Sequence, residues 1–178
     1  MDNILEKNNY LVIRNFIAPD RARNLHREFV EYCDDNDLVA DDQVFSSQVQ
    51  YDYISFLELL NEKSTFVSAQ VRETVLPTYC YARHYLNDAV LNSHTDRPSC
   101  EVSVTLHLDG DQEWPFHIMT SEGKAAKVIL HPGDAMIYLG MRGKHWRRNY
   151  RGQSYSQVFL HYVRSRGPHA KHYFDKLK

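Results

Sequence analysis

A change of hydrophobic period near Thr78 restricts this chain to few architectures. Before it, apolar residues recur at helical spacing. Ala22, Leu25, Phe29 and Tyr32 or Cys33 follow Pro19 and Asp20, and Leu57, Leu60, Val67, Val71 and Val75 run up to Pro77. The pattern predicts one helix ending at the acidic break Asp34-Asp35-Asn36-Asp37 and a second from about Ser55 to Val75. Both stripes read as packing faces. A strand from Asn9 to Ile17, rich in β-branched and aromatic residues, precedes them.

After Thr78 the period is two, and the chain divides into eight short β segments: 78–86, 90–96, 100–109, 114–120, 124–131, 135–140, 144–148 and 154–163. Turn signals separate them, among them Asn87-Asp88, Asp109-Gly110-Asp111, Glu122-Gly123 and Arg151-Gly152. Pro132-Gly133 suits the two central positions of a type II turn, the glycine supplying a positive φ. Helices followed by a run of short strands predict an α+β fold, a β-sandwich or barrel buttressed by helices on one face. At 178 residues the expectation is a single domain: a helical N-terminal support over 1–77, a β core over 78–163 and a basic tail over 164–178.

With 21 basic and 23 acidic residues the chain has no global field that argues for nucleic acid or an anionic membrane as partner. Cys33, Cys80 and Cys100 show no metal-type spacing, and an odd count leaves one unpaired, which fits a reducing cytoplasm. The N-terminal residues carry no leader pattern, and no apolar run reaches membrane-spanning length.

His94-Thr95-Asp96 ends the second β segment, and a separation of two puts both side chains on one face of a strand. They can share one metal ion. Ten histidines produce about one such pair by chance, and a second exists in His107-Leu108-Asp109. The first pair has a well-placed third ligand, His145, because a two-layer roll brings its second and seventh strands side by side. The only comparable partner of the rival pair is His161, inside the last strand. Two histidines and a carboxylate on one face of a metal leave three positions open, as in non-haem iron(II) oxygenases. Spacing alone fits equally well with His94 and His145 as hydrogen-bonded strand-end residues and Asp96 as a turn acceptor.

These segments resemble a known superfamily, the iron(II)- and 2-oxoglutarate-dependent oxygenases, and within it the prolyl-hydroxylase-like branch. The likeness runs from about Thr78 to Val163, over Cys80-Tyr81-Ala82-Arg83-His84-Tyr85, the stretch from His94 to Leu106, Leu130-His131-Pro132-Gly133-Asp134-Ala135, and His145-Trp146 through Gln157-Val158-Phe159-Leu160-His161-Tyr162. It implies a double-stranded β-helix (jelly-roll) of eight strands with N-terminal helices and a metal triad of His94, Asp96 and His145. It also implies hydroxylation using Fe(II), 2-oxoglutarate and O2, with release of succinate and CO2.

One departure stands out. The branch places Arg or Lys about nine or ten residues after the distal histidine to hold the 5-carboxylate of 2-oxoglutarate, and here those positions are Ser154 and Tyr155. Ser156 matches the serine that accompanies the arginine. Tyr81, Arg83 and Tyr85 alternate and share a face, and Tyr85 lies close to where prolyl hydroxylases place a cosubstrate-binding tyrosine. Arg83 is therefore the expected substitute anchor, with Arg97 and Arg151 as rivals.

Arg142, Lys144, Arg147, Arg148 and Arg151 read as a basic rim around His145, or equally as a solvated loop. Trp114 and Trp146 are expected at the mouth. The substrate expectation is a peptidyl, prolyl-type side chain; the alternatives are the same chemistry on a small metabolite or nucleobase, and a metal-binding β-barrel without catalysis. Oligomeric state stays open.

Overall fold

In the computed structural model, which describes residues 3–175, three α-helices and ten β-strands build two facing antiparallel sheets. In chain order they are α1 (Ile4–Asn8), β1 (Tyr10–Ile13), α2 (Pro19–Asp35), β2 (Ser47–Tyr51), α3 (Ile54–Val71), β3 (Val75–Leu86), β4 (Leu91–His94), β5 (Val102–Gly110), β6 (Phe116–Met119), β7 (Ala125–Val128), β8 (Ala135–Tyr138), β9 (His145–Arg147) and β10 (Ser154–Arg164). The larger sheet has the order β1-β8-β5-β10-β3-β2, the smaller β4-β9-β6-β7. Residues 176–178 of the expected tail lie outside the described residues.

Alternation along the large-sheet strands separates two chemistries. Cys80, Ala82, Val104, Leu106, Val158, Leu160 and Tyr162 face outward and join Leu25 and Phe29 of α2 and Phe56, Leu59 and Leu60 of α3 in one apolar core. The alternate residues face the small sheet and are largely polar: Tyr79, Tyr81, Arg83 and Tyr85 on β3, Ser103, Thr105 and His107 on β5, and Tyr155, Gln157, Phe159 and His161 on β10. Phe116 and Ile118 of β6 meet Met136 and Tyr138 of β8 across the gap. A polar interior between sheets held from outside by helices is a frame for a site rather than a core.

α3 stops four residues before the expected Val75. Arg72 takes the left-handed conformation at φ 62°, its N–H bonds Ser68 O, and Val75 instead opens β3. Two elements escape the period reading: α1, which is five residues long, and β2, whose sequence SQVQY is an edge strand with a mostly half-exposed face. The first strand is shorter than Asn9–Ile17, ending at Ile13 before Asn15 turns the chain at φ 50°. The turn at Pro132-Gly133 closes by Asp134 N–H donating to His131 O at 2.8 Å with Gly133 at φ 88°. No helix among the described residues is long and apolar enough to cross a membrane.

Candidate metal centre

The register of the small sheet assembles the centre. β4 and β9 pair so that His94 faces His145 and Leu91 faces Arg147. Asp96 follows β4, held by its N–H donating to Gly140 O at 2.9 Å. Asp96 Oδ1 then lies 3.6 Å from His94 Nε2 and 3.4 Å from His145 Nε2. The three donor atoms are all within 4.8 Å of one another.

Hydrogen bonds around the triad set its chemistry. His94 Nδ1 lies 2.8 Å from Asn92 O and His145 Nδ1 2.8 Å from Gly143 O, so each ring donates to a carbonyl and presents an Nε2 lone pair as the acceptor. The Gln43 side-chain amide, 3.2 Å from His94 Nε2, is a donor to that lone pair. Ser103 Oγ donates to Asp96 Oδ2 at 3.1 Å, leaving Oδ1 for the histidine side. Burial lowers the His94 pKa and so favours the neutral ring a metal needs. Asp96 is mostly shielded from solvent, which pushes its pKa up, but the hydrogen bond and charge of His145 outweigh this and hold the carboxyl below its ordinary value. Two neutral imidazoles and one carboxylate are a donor set suited to a divalent transition metal.

A cavity of about 250 Å³ opens on the triad. Tyr51, Tyr79, Tyr81 and Phe159 form an aromatic wall, with Arg83 and Arg97 as cations. Asp96 also approaches Cys100 and His161. That group is less suited to a metal, since burial pushes the Cys100 thiol up to about 12 and His161 Nδ1 is engaged by Ser103 Oγ at 2.9 Å.

The expected cosubstrate residues separate. Tyr81, Arg83 and Tyr85 do share the inward face, and Arg83 lines the cavity. Its guanidinium already has an acid, however: Arg83 Nη2 donates to Asp41 Oδ2 at 2.5 Å, to Gln43 Oε1 at 3.1 Å and to Tyr81 OH at 2.8 Å. Tyr85 lies deeper, edge-on to Trp114 with ring centroids 4.8 Å apart, and its buried hydroxyl has no hydrogen-bond partner. Ser156 points the other way. Its Oγ sits between His26 Nδ1 at 2.9 Å and His84 Nδ1 at 2.8 Å, on the helix side of β10, because only the odd-numbered residues from Tyr155 to His161 face inward. Arg97 stands at the mouth, over the Tyr79 ring and paired with Asp175 at 2.9 Å. Arg151 is exposed and pairs with Asp88.

His107 is stacked on Tyr155 at 4.0 Å with Nδ1 donating to Ser156 O, and Asp109 accepts from Gly110 N–H; among the described residues no cluster of metal donors includes either. Trp114 is buried at the deep end of the interior rather than at the mouth, its indole N–H donating to Arg148 O at 2.7 Å. Trp146 stacks on His117 at 5.3 Å, on the alternate face of β9 from the triad.

The expected basic rim also loses a member. Arg147 is 1% exposed and lies inside the roll, two residues along β9 from His145. Its guanidinium carbon is 4.6 Å from the Trp114 ring, 4.9 Å from Tyr155 and 5.3 Å from Phe116. Nη2 donates to Gln157 Oε1 at 2.9 Å, Nη1 to Trp114 O, and Nε has no partner. Among the described residues no carboxylate forms an ion pair with it. The alternation that marks His94 and Asp96 also marks Arg147 as facing the same way as His145; the run of basic residues around it hides that signal.

The two-sheet roll has the jelly-roll fold of solved 2-oxoglutarate-dependent oxygenases. A prolyl-4-hydroxylase of Pseudomonas putida superposes with a TM-score of 0.73 at 17% identity, covering 92% of this chain and 96% of that chain. HygX of Streptomyces hygroscopicus, solved with nickel, 2-oxoglutarate and hygromycin B bound, gives 0.72 at 14% identity over 92% of this chain and 86% of that chain. A Trichoplax adhaerens prolyl hydroxylase, in complex with a hypoxia inducible factor peptide fragment, gives 0.71 at 13% identity over 90% and 86%. No family model and no curated protein sequence matches the chain.

Proposed function

We propose that this chain is an Fe(II)- and 2-oxoglutarate-dependent oxygenase that hydroxylates an organic substrate. The observation that carries the proposal is the triad. Two Nε2 atoms, that of His94 accepting from the Gln43 amide, and one carboxylate oxygen converge on a cavity from the β4–β9 pair and the residues just after β4, each side chain fixed by a hydrogen bond from behind. The bound metal and cosubstrate together would supply the oxidising chemistry, with succinate and CO2 as by-products.

The residues present account for the remaining tasks. His94, Asp96 and His145 would hold the metal from one side and leave the cavity side open. Asn92 O, Gly143 O and Ser103 orient the three side chains, so that little reorganisation accompanies metal binding. Tyr138, Phe159 and His161 wall the cavity and limit water around the oxidant. His161 stays neutral because burial lowers its pKa to about 4, so it adds no charge that would repel a metal.

For the substrate, Tyr51, Tyr79, Tyr81 and Phe159 offer an apolar, aromatic wall suited to a prolyl-type ring of a peptide. The modest cavity also supports a second reading, the same chemistry on a small molecule, as HygX was solved with hygromycin B bound. The test is conversion of 2-oxoglutarate to succinate, dependent on iron and dioxygen, in the wild type and in Asp96→Ala. Turnover in the wild type alone supports the proposal. Metal binding without succinate, over peptide and metabolite panels alike, would leave a metal-binding β-barrel as the better account.

A further inference from the structure

We propose that Arg147, on β9, binds the remote carboxylate of 2-oxoglutarate, a role that neither the start of β10 nor Arg83 fills. This rests on the oxygenase reading above. Two arginines are buried in the roll, each 1% exposed, and they differ in their counterions. Arg83 is matched by Asp41 at 2.5 Å, a carboxyl whose burial is offset by hydrogen bonds from Tyr81 and Arg83 that hold it ionised. Arg147 has no carboxylate partner among the described residues; its partners are neutral, the oxygens of Trp114 and Gln157 and the Tyr155 hydroxyl, and its Nε is unsatisfied. A guanidinium cannot shed its proton, and a buried charge without an opposite one is strongly unfavourable. The interior therefore calls for an anion at Arg147.

Charge and distance fit a dicarboxylate. A divalent metal would leave one positive charge unmatched by Asp96, and Arg147 leaves another, while 2-oxoglutarate carries two negative ones. His107, beside Arg147, is lowered to about 3 by burial and by that guanidinium, so it contributes none. His145 and Arg147 are alternate residues of one strand, so their Cα atoms are roughly 6.5–7 Å apart along it and their side chains project together. That separation suits a five-carbon diacid chelated at one end and ion-paired at the other. The unpartnered Tyr85 hydroxyl, on a ring packed against Trp114, is a further donor at the deep end of the interior.

The position also explains how the family's usual anchor is dispensable. Tyr155 stands where the basic residue is expected and faces inward, but its ring packs against Arg147 at 4.9 Å, so the charge comes from the neighbouring region of β9.

The experiment is calorimetric titration of protein loaded with Mn(II), without dioxygen, using 2-oxoglutarate and 2-oxobutyrate, which lacks the remote carboxylate. Wild type is expected to prefer 2-oxoglutarate by at least about ten-fold. Arg147→Gln should lose that preference with Mn(II) affinity unchanged, and Arg147→Lys should recover part of it, whereas Arg151→Gln leaves it intact. A preference that survives Arg147→Gln, or one abolished by Arg83→Gln instead, overturns the assignment while leaving the oxygenase reading in place. Absence of 2-oxoglutarate binding by metal-loaded wild type overturns both. Should the Arg147 variants fail to fold, wild type labelled with 15N-arginine decides the matter. The buried guanidinium signal that persists in Arg83→Lys should shift with 2-oxoglutarate and not with 2-oxobutyrate, and its indifference to both would contradict the proposal.

Discussion

Asp96 is the residue on which the site turns, since one carboxylate oxygen faces both histidines and the other is tied to Ser103. Asp96→Ala should abolish measurable metal binding in a calorimetric titration, while Asp109→Ala, remote from any donor cluster, should leave it within about three-fold. Ser103→Ala removes only the orienting hydrogen bond and should weaken metal affinity by about 10- to 100-fold without unfolding the protein. Gly140 packs so close that a Cβ there would collide with Asp96 Oδ2 and Cys100 O, so Gly140→Ala should likewise displace the carboxylate and reduce metal affinity. His94, Asp96 and His145 were legible in the sequence because a spacing of two on one strand, with a distal histidine on the seventh, is a statement about faces and neighbours. Arg147 obeys the same parity, but in the sequence its charged neighbours give it the look of a rim residue. The spacing of Ser156 from His145 suits a site residue, but parity turns it outward: a shift of one residue on a strand changes the face.

Among the elements, those with a strong period were legible and those without were not. α2 ends at Asp35, within the predicted acidic break, and each of the eight β segments overlaps one strand from β3 to β10, with β3 starting three residues earlier than expected. β2 carries alternating polar residues at a sheet edge, and its sequence lacks the apolar signal that marks a half-buried strand. Two buried histidines, one on each face of the large sheet, have a consequence for acid stability. His84, between β3 and α2, is lowered to about 4, first by burial and then by His26, and His107 to about 3, first by burial and then by Arg147. Below the unfolded value of about 6.5 the unfolded chain takes up protons that the folded one does not, so stability falls as pH drops from about 6.5 toward 4. Each histidine adds at most about 1.4 kcal/mol per pH unit to that slope. Urea unfolding between pH 7 and 4.5 should show the fall, and His107→Phe should flatten the slope; an unchanged slope would falsify the assignment.

At the scale of the molecule, two sheets enclose a polar interior that the outer helices do not share; His94 and His145 line its cavity, and the uncompensated Arg147 is buried in the same interior. A metal that binds only the folded triad stabilises it by mass action, about 2.7 kcal/mol at a hundred-fold excess over Kd. Thermal unfolding should therefore move upward with Mn(II) in wild type and stay fixed in Asp96→Ala. The fold's outline came through in the sequence because helical and two-residue periods are local, whereas the ion pairing of Arg83 with Asp41 joins the roll to the loop before β2, which has no period to read. The most direct test of the central claim is anaerobic titration of the protein with Fe(II) and then 2-oxoglutarate, followed in the visible region. A charge-transfer band that needs both additions, saturates at one equivalent of iron and is missing in Asp96→Ala is the expected result; tight iron binding by wild type with no band on adding 2-oxoglutarate would contradict it.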